Sequence, residues 1–214
     1  MRRVVKSEAV ILPGPAGRIE AAIDSIEETA RAIAVVCHPH PLQQGTMQNK
    51  VVTTVARAFA QLGAHALRFN FRGVGASEGR YAEGVGERAD ALAAIAWSRA
   101  RWPGLDVYLG GFSFGAAIAL AIAAEARARG LVTIAPPFDR LPADFAAPTC
   151  PWLSIHGTAD DVVPFAAAEA RLATLGVRPR VLAMKDAGHF FHGRLLEVDE
   201  AITSFFGPEL GAAS

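Results

Sequence analysis

Net charge is the first thing this 214-residue sequence lacks: 21 Lys and Arg offset 21 Asp and Glu. With no net field to attract polyanions or acidic headgroups, neither nucleic acid nor a membrane surface is an expected partner. Cysteine is nearly missing as well. Cys37 and Cys150 are too few for a disulfide framework, and they suit a reducing compartment as buried, inert thiols. Nor is there a long apolar run. Mean hydropathy is positive, yet the most apolar stretch, residues 114–124, stops at Glu125, well short of the roughly 20 residues a bilayer span needs. The basic start of the chain has no signal-type core, since Lys6, Glu8 and Pro13 break its apolar run. These absences lead us to expect a cytoplasmic protein. Repeats, low-complexity tracts and long linkers are absent too, so residues 1–214 read as one domain.

What the sequence has is alternation. Apolar runs at residues 4–12 and 18–23 predict an antiparallel pair, with the Pro-Gly-Pro of residues 13–15 turning between them. Residues 32–38 form a near-continuous apolar strand, as expected in a sheet covered on both faces. Helical spacing then runs from Asn49 to Leu62 and stops at Gly63. Further strands are predicted at 64–69, 106–110, 131–135, 152–156 and 180–184. Helices are predicted at 85–101, 114–129, 165–175 and from about His189 to Phe206. Strand–helix alternation of this length implies a mostly parallel sheet of about eight strands with helices on both faces. In such sheets, chemistry gathers in the loops that leave the C-terminal ends of the strands.

One of those loops contains Gly111-Phe112-Ser113-Phe114-Gly115, a G-x-S-x-G pattern. It follows a strand and opens an Ala-rich helix, the strand–turn–helix context that lifts a serine hydroxyl above a sheet. The glycines have a physical reason: a side chain at either would collide with the neighbouring strand or helix. A helix-capping role would explain a serine here but not the two glycines beside it.

A serine hydroxyl needs a base, and the base needs a carboxylate to hold its tautomer. After a turn of this kind the expected chain order is serine, acid, histidine. Three histidines follow Ser113. His189 comes just after a strand, beside Gly188, and is the expected base. His192, placed one turn into the last helix, is read as structural or pocket-lining. His156 is read as a support for the loop after its own strand. For the acid, Asp160 is preferred, with Asp161 capping the turn into Pro164. Asp186 is too close in sequence to His189, and Asp139 and Asp144 would need an unusual loop path.

Two N–H groups must meet the developing oxyanion. Phe114, the residue after the serine, supplies the first. The second must come from His38-Pro39-His40-Pro41-Leu42, where the prolines have no N–H to give. That leaves His40 as first choice and Leu42 as second. A metal reading of His38 and His40 lacks a completing Cys, Asp or Glu nearby, so no metal and no cofactor are expected.

Five segments, CHPHPLQQGTMQNKVV, LRFNFRGVGASEGRY, GGFSFGA, HGTADDVVP and GHFFHGRL, together resemble small bacterial α/β-superfamily hydrolases akin to dienelactone hydrolase. The resemblance implies an α/β-hydrolase fold, a Ser113–Asp160–His189 triad, and a pocket floor shaped by Arg72 and Gly73. Gly73-x-Gly75 matches no phosphate-loop pattern and reads as a tight turn. Dienelactone hydrolase itself uses a cysteine nucleophile where this chain has serine, so its substrate is not carried over. The fifteen residues 136–150, which end at Cys150, are too few for a multi-helix lid. We therefore expect an open cleft for small or short-chain acyl esters, with Phe112, Phe114, Phe138, Phe190 and His192 as walls. A thioesterase or peptidase would use the same triad, and a non-catalytic binding protein could share the fold. A small-molecule ester is the expected partner, and self-association as a homodimer is left open.

Overall fold

The computed structural model describes residues 3–27, 29–143 and 145–211. Its eight strands are β1 (Lys6–Gly14), β2 (Gly17–Ser25), β3 (Ala32–Cys37), β4 (Ala64–Phe69), β5 (Asp106–Phe112), β6 (Gly130–Ile134), β7 (Trp152–Gly157) and β8 (Arg180–Met184). They form one sheet in the order β1-β2-β4-β3-β5-β6-β7-β8. Strand β2 runs antiparallel to β1 and β4, and the pairings from β4 through β8 are parallel. The expected mostly parallel α/β architecture is therefore what the chain adopts.

Alternation along the strands divides the core in two. On β3, Ile33, Val35 and Cys37 face one layer while Ala32, Ala34 and Val36 face the other. The first layer takes the buried sides of α2 (Val85–Arg101), α3 (Phe114–Ile122) and α4 (Phe165–Thr174). The second takes α1 (Lys50–Gln61) and α5 (Leu195–Leu210). Neither face of the central strands meets water, which explains their unbroken apolar sequences. Asn49 caps α1 by accepting from Val51 N–H at 2.9 Å.

Several local expectations are corrected. The first hairpin turns at Pro15-Ala16, because Gly14 pairs with Gly17 and Pro13 sits within edge strand β1. Helix α3 ends at Ile122 rather than running to Arg129, since the chain turns through left-handed Arg127 (φ +48°) to enter β6. Helix α5 starts at Leu195, not His189: residues 189–194 form turns around left-handed Phe191 (φ +51°). His192 is therefore an exposed turn residue outside the helix. Of the cysteines, Cys37 is buried but Cys150 only half-buried, and neither is disulfide-bonded. Among the described residues between β6 and β7 there is no lid, only a short 3-10 turn at Phe138–Arg140. No helix among the described residues is long and apolar enough to cross a membrane.

One buried ion pair joins the antiparallel edge to the rest of the sheet. Arg68 of β4 donates from Nε to Asp24 Oδ2 of β2 at 2.6 Å and from Nη1 to Met47 O at 3.2 Å. Both side chains are almost wholly enclosed. Removing one partner would leave the other charge buried and unpaired. Asp24→Ala is expected to lower unfolding free energy by about 3–5 kcal/mol, read from urea denaturation at neutral pH.

Candidate active site

Among the described residues, seven non-glycine residues have positive φ, and six of them (Gln44, Glu83, Ser113, Ala135, Asp186 and Phe191) lie in loops leaving the C-terminal ends of parallel strands. Backbone strain of this kind persists only where the surrounding structure fixes it, and it clusters at functional sites. The strained end of this sheet is also where the candidate residues meet.

Ser113 follows β5 with φ +54° and ψ −123°. Its N–H donates to Ile134 O of the neighbouring strand at 2.8 Å, which fixes the turn. A Cβ at Gly111 would lie 2.2 Å from Gly115 O, and one at Gly115 would lie 2.4 Å from Cys37 O and His38 O. Both glycines are thus required by close backbone approach, as their flanking positions suggested.

The structure brings Ser113, His189 and Asp160 together. His189 Nδ1 and Asp160 Oδ2 are 2.8 Å apart, and His189 Nε2 is 3.1 Å from Ser113 Oγ. A carboxylate oxygen only accepts, so Nδ1 carries the proton and Nε2 presents its lone pair to the hydroxyl. The imidazole packs against Phe112 (centroids 5.0 Å apart) and Phe190 (5.1 Å). Both partner loops are stitched together by backbone: Thr158 N–H donates to Met184 O at 2.9 Å and Ala159 N–H to Ala187 O at 3.0 Å.

Asp160 does more than the sequence suggested. Its Oδ1 accepts from Val162 N–H at 2.9 Å and Val163 N–H at 2.8 Å, so Asp160 itself, not Asp161, secures the turn toward Pro164. Burial alone would raise its pKa. Hydrogen bonds from His156, His189 and Val163 N–H outweigh that penalty and hold the carboxyl well below the usual carboxylate range. His156 donates from Nε2 to Val163 O at 2.8 Å and supports the loop, as expected. Of the alternative acids, Asp139 lines the cleft beside Ser113 and Asp144 lies outside the described residues.

Phe114 is the first residue of α3, so its N–H is one of the first-turn donors that has no partner within the helix. In the loop after β3, Leu42 N–H donates to His40 Nδ1 at 3.2 Å and is thereby occupied. His40 N–H is the remaining choice there. His40 also contacts Tyr81, with Nε2 3.2 Å from the phenol oxygen. His38 uses both ring nitrogens: Nε2 accepts from Phe71 N–H at 2.9 Å, so Nδ1 carries the proton toward Pro39 O at 2.6 Å. Neither nitrogen is left for a metal.

A cleft of about 400 Å³ opens at Ser113. Phe114 and Phe138 line it as expected, together with Val163, Pro164, Arg140 and Arg171. Phe112 does not, because it is fully buried behind His189. Phe190 and His192 stack on each other (5.8 Å) and line a separate recess on the His189 side. Arg72 is not a pocket-floor residue: it donates to Asp90 of α2 from Nε (2.9 Å) and Nη2 (2.8 Å), which ties the loop after β4 to that helix. Gly73, with φ +76°, turns the chain back against residues 79–81. Sequence reasoning missed Tyr81, Arg140 and Arg171, none of which belongs to a motif with a spacing rule.

The buried imidazole of His38 gives a pH signature. Burial lowers its pKa to about 4, against a small opposing effect of the bond to Pro39 O. A histidine whose folded pKa is depressed stabilises fully above its unfolded value, near 6.5, and loses that contribution as pH falls toward the folded value. Wild-type unfolding free energy should therefore decline between about pH 6.5 and 4. His38→Gln should lose the part of this slope due to one proton, as read from urea denaturation across that range.

A family model described as serine aminopeptidase, S33, matches residues 28–148. An uncharacterized protein of Rickettsia prowazekii is 34% identical over 203 residues, covering 90% of this chain and 85% of that one. Among solved structures, a lidless α/β serine hydrolase of Xanthomonas campestris superposes with a TM-score of 0.91 at 39% identity, over 98% of this chain and 97% of that one. An α/β serine hydrolase homologue of Coxiella burnetii gives 0.87 at 40% identity, over 92% and 96%. The chain belongs to the α/β serine hydrolases, in the family described as serine aminopeptidase, S33, and shares the lidless form of the fold.

Proposed function

We propose that the protein hydrolyses small or short-chain carboxylic esters through an acyl-enzyme, with Ser113 as nucleophile, His189 as base and Asp160 as its orienter. The observation that carries this reading is the unbroken relay from Ser113 Oγ through His189 to Asp160. As Ser113 Oγ attacks the ester carbonyl, its proton passes to His189 Nε2, and the carbonyl oxygen becomes an anion facing the N–H groups of Phe114 and His40. The tetrahedral species collapses, the departing alkoxide takes the proton from Nε2, and the alcohol leaves. Water then gives a proton to Nε2 and attacks the acyl group. The proton returns to Ser113 Oγ, and the carboxylic acid is released.

The family's description raises aminopeptidase activity as a second reading. A free amino terminus would bring an ammonium into a cleft that carries Arg140 and Arg171 against a single acid, Asp139. That balance of charge disfavours a cation, so the ester reading stands first. Thioesters remain compatible with the same relay. Two unpaired cysteines suit a cytoplasmic location. We propose a small-molecule ester as the partner and neither nucleic acid nor membrane. Homodimer formation is not part of this reading.

A fluorophosphonate should label Ser113, and labelling should vanish in Ser113→Ala. With p-nitrophenyl acetate, Ser113→Ala should lower kcat on the order of 10⁶-fold and Asp160→Asn on the order of 10⁴-fold. Preference for long-chain triglycerides over short p-nitrophenyl esters, or for aminoacyl amides over either, would refute the proposed specificity.

A further inference from the structure

On the far side of Phe114 from the triad lies a second groove, of about 350 Å³, that the relay does not use. Phe114 and Arg140 line both this groove and the Ser113 cleft, so the two cavities adjoin. The groove is apolar at depth: Phe114, Ala117 and Ile118 of α3 are each at most 5% exposed. Ala121 extends that floor, and Val85, 67% exposed, stands at the rim. The charged groups Glu83, Arg88 and Arg140 occupy the exposed or half-exposed margins.

The wall is built stiffly. Glu83 (φ +52°) and Gly84 (φ +89°) are consecutive left-handed residues. The fully buried Glu87 carboxylate holds them, accepting from Ala82 N–H at 2.9 Å and Gly84 N–H at 2.8 Å. A non-glycine residue kept in this conformation is strain that the fold maintains. Glu83, Gly84 and Val85 form the wall of the groove opposite α3.

Direction follows from the chemistry. His189 returns its proton to the leaving oxygen, so the alcohol departs on the side of His189, Phe190 and His192. None of these three lines the groove. A group that enters the groove past Phe114 is therefore attached to the acyl carbon. We infer that this groove is an acyl-chain subsite, taking the distal apolar part of a medium-length acyl group whose carbonyl sits at Ser113. This rests on the ester-hydrolase reading and extends its substrate class from short to medium acyl chains.

The test is a p-nitrophenyl ester series from acetate to octanoate, with kcat/KM measured for wild type, Ala121→Trp and Val85→Asp. In wild type, kcat/KM should rise roughly threefold to fourfold for each methylene that enters the groove. The octanoate-to-acetate ratio should fall at least about tenfold in each variant, one filling the groove and the other charging its rim, and Val85→Leu should keep the wild-type ratio. Val85 is exposed, so that pair stays informative even if Ala121→Trp folds poorly. A flat wild-type series, or a ratio unchanged by Val85→Asp, overturns the assignment. So does a variant that alters the response to alcohol-chain length in alkyl acetates instead. Fluorophosphonate labelling separates the two levels. Labelled Ser113 with an unmoved ratio defeats the groove alone, whereas unlabelled Ser113 with no ester turnover defeats the hydrolase reading and the groove with it.

Discussion

The orientation of one imidazole organises this molecule. His189 is fixed at both nitrogens, by Asp160 at one and Ser113 at the other, and its ring packs against Phe112 and Phe190. Because Asp160 can only accept from Nδ1–H, the lone pair on Nε2 faces the hydroxyl before any substrate arrives. Catalysis by proton transfer needs this geometry more than it needs any particular side chain around it. Much of the fold serves to hold three loops, from β5, β7 and β8, at the spacing that the ring requires.

Those loops are held by backbone more than by side chains. Parallel pairing sets the ends of β5, β6 and β7 side by side, and hydrogen bonds from Thr158 and Ala159 sew the acid-bearing loop to the residues just before His189. Asp160 belongs to both systems, since one oxygen secures its own turn and the other holds the histidine. Its carboxyl is kept strongly acidic by the hydrogen bonds it accepts, despite burial. Losing that charge would therefore disturb the loop as well as the base.

Local sequence made much of this legible. Continuous apolar strands marked a sheet covered on both faces, and two glycines around a serine marked a turn too tight for side chains. Strand ends then placed Ser113, Asp160 and His189 in neighbouring loops. What stayed hidden depends on contacts distant in sequence. Phe112 stands next to the serine, which suggested a pocket wall, but strand alternation sends it inward behind His189. Arg72 suggested a pocket floor until the buried Asp90, eighteen residues away, proved to hold it. The start of α5 was placed too early because nothing in the residues announces that Phe191 adopts a left-handed conformation. Glu87 looks like an ordinary helix acid, yet it is fully buried and shapes the wall beside α3.

The central claim is that Ser113 carries the acyl group during turnover. Rapid acid quenching of the enzyme mixed with p-nitrophenyl acetate, followed by peptide mass spectrometry, tests it most directly. An acetyl group on the peptide bearing Ser113, appearing with the first burst of p-nitrophenol and decaying as substrate runs out, is the predicted result. Steady release of product with Ser113 never acetylated, in wild type and in Asp160→Asn alike, would contradict it.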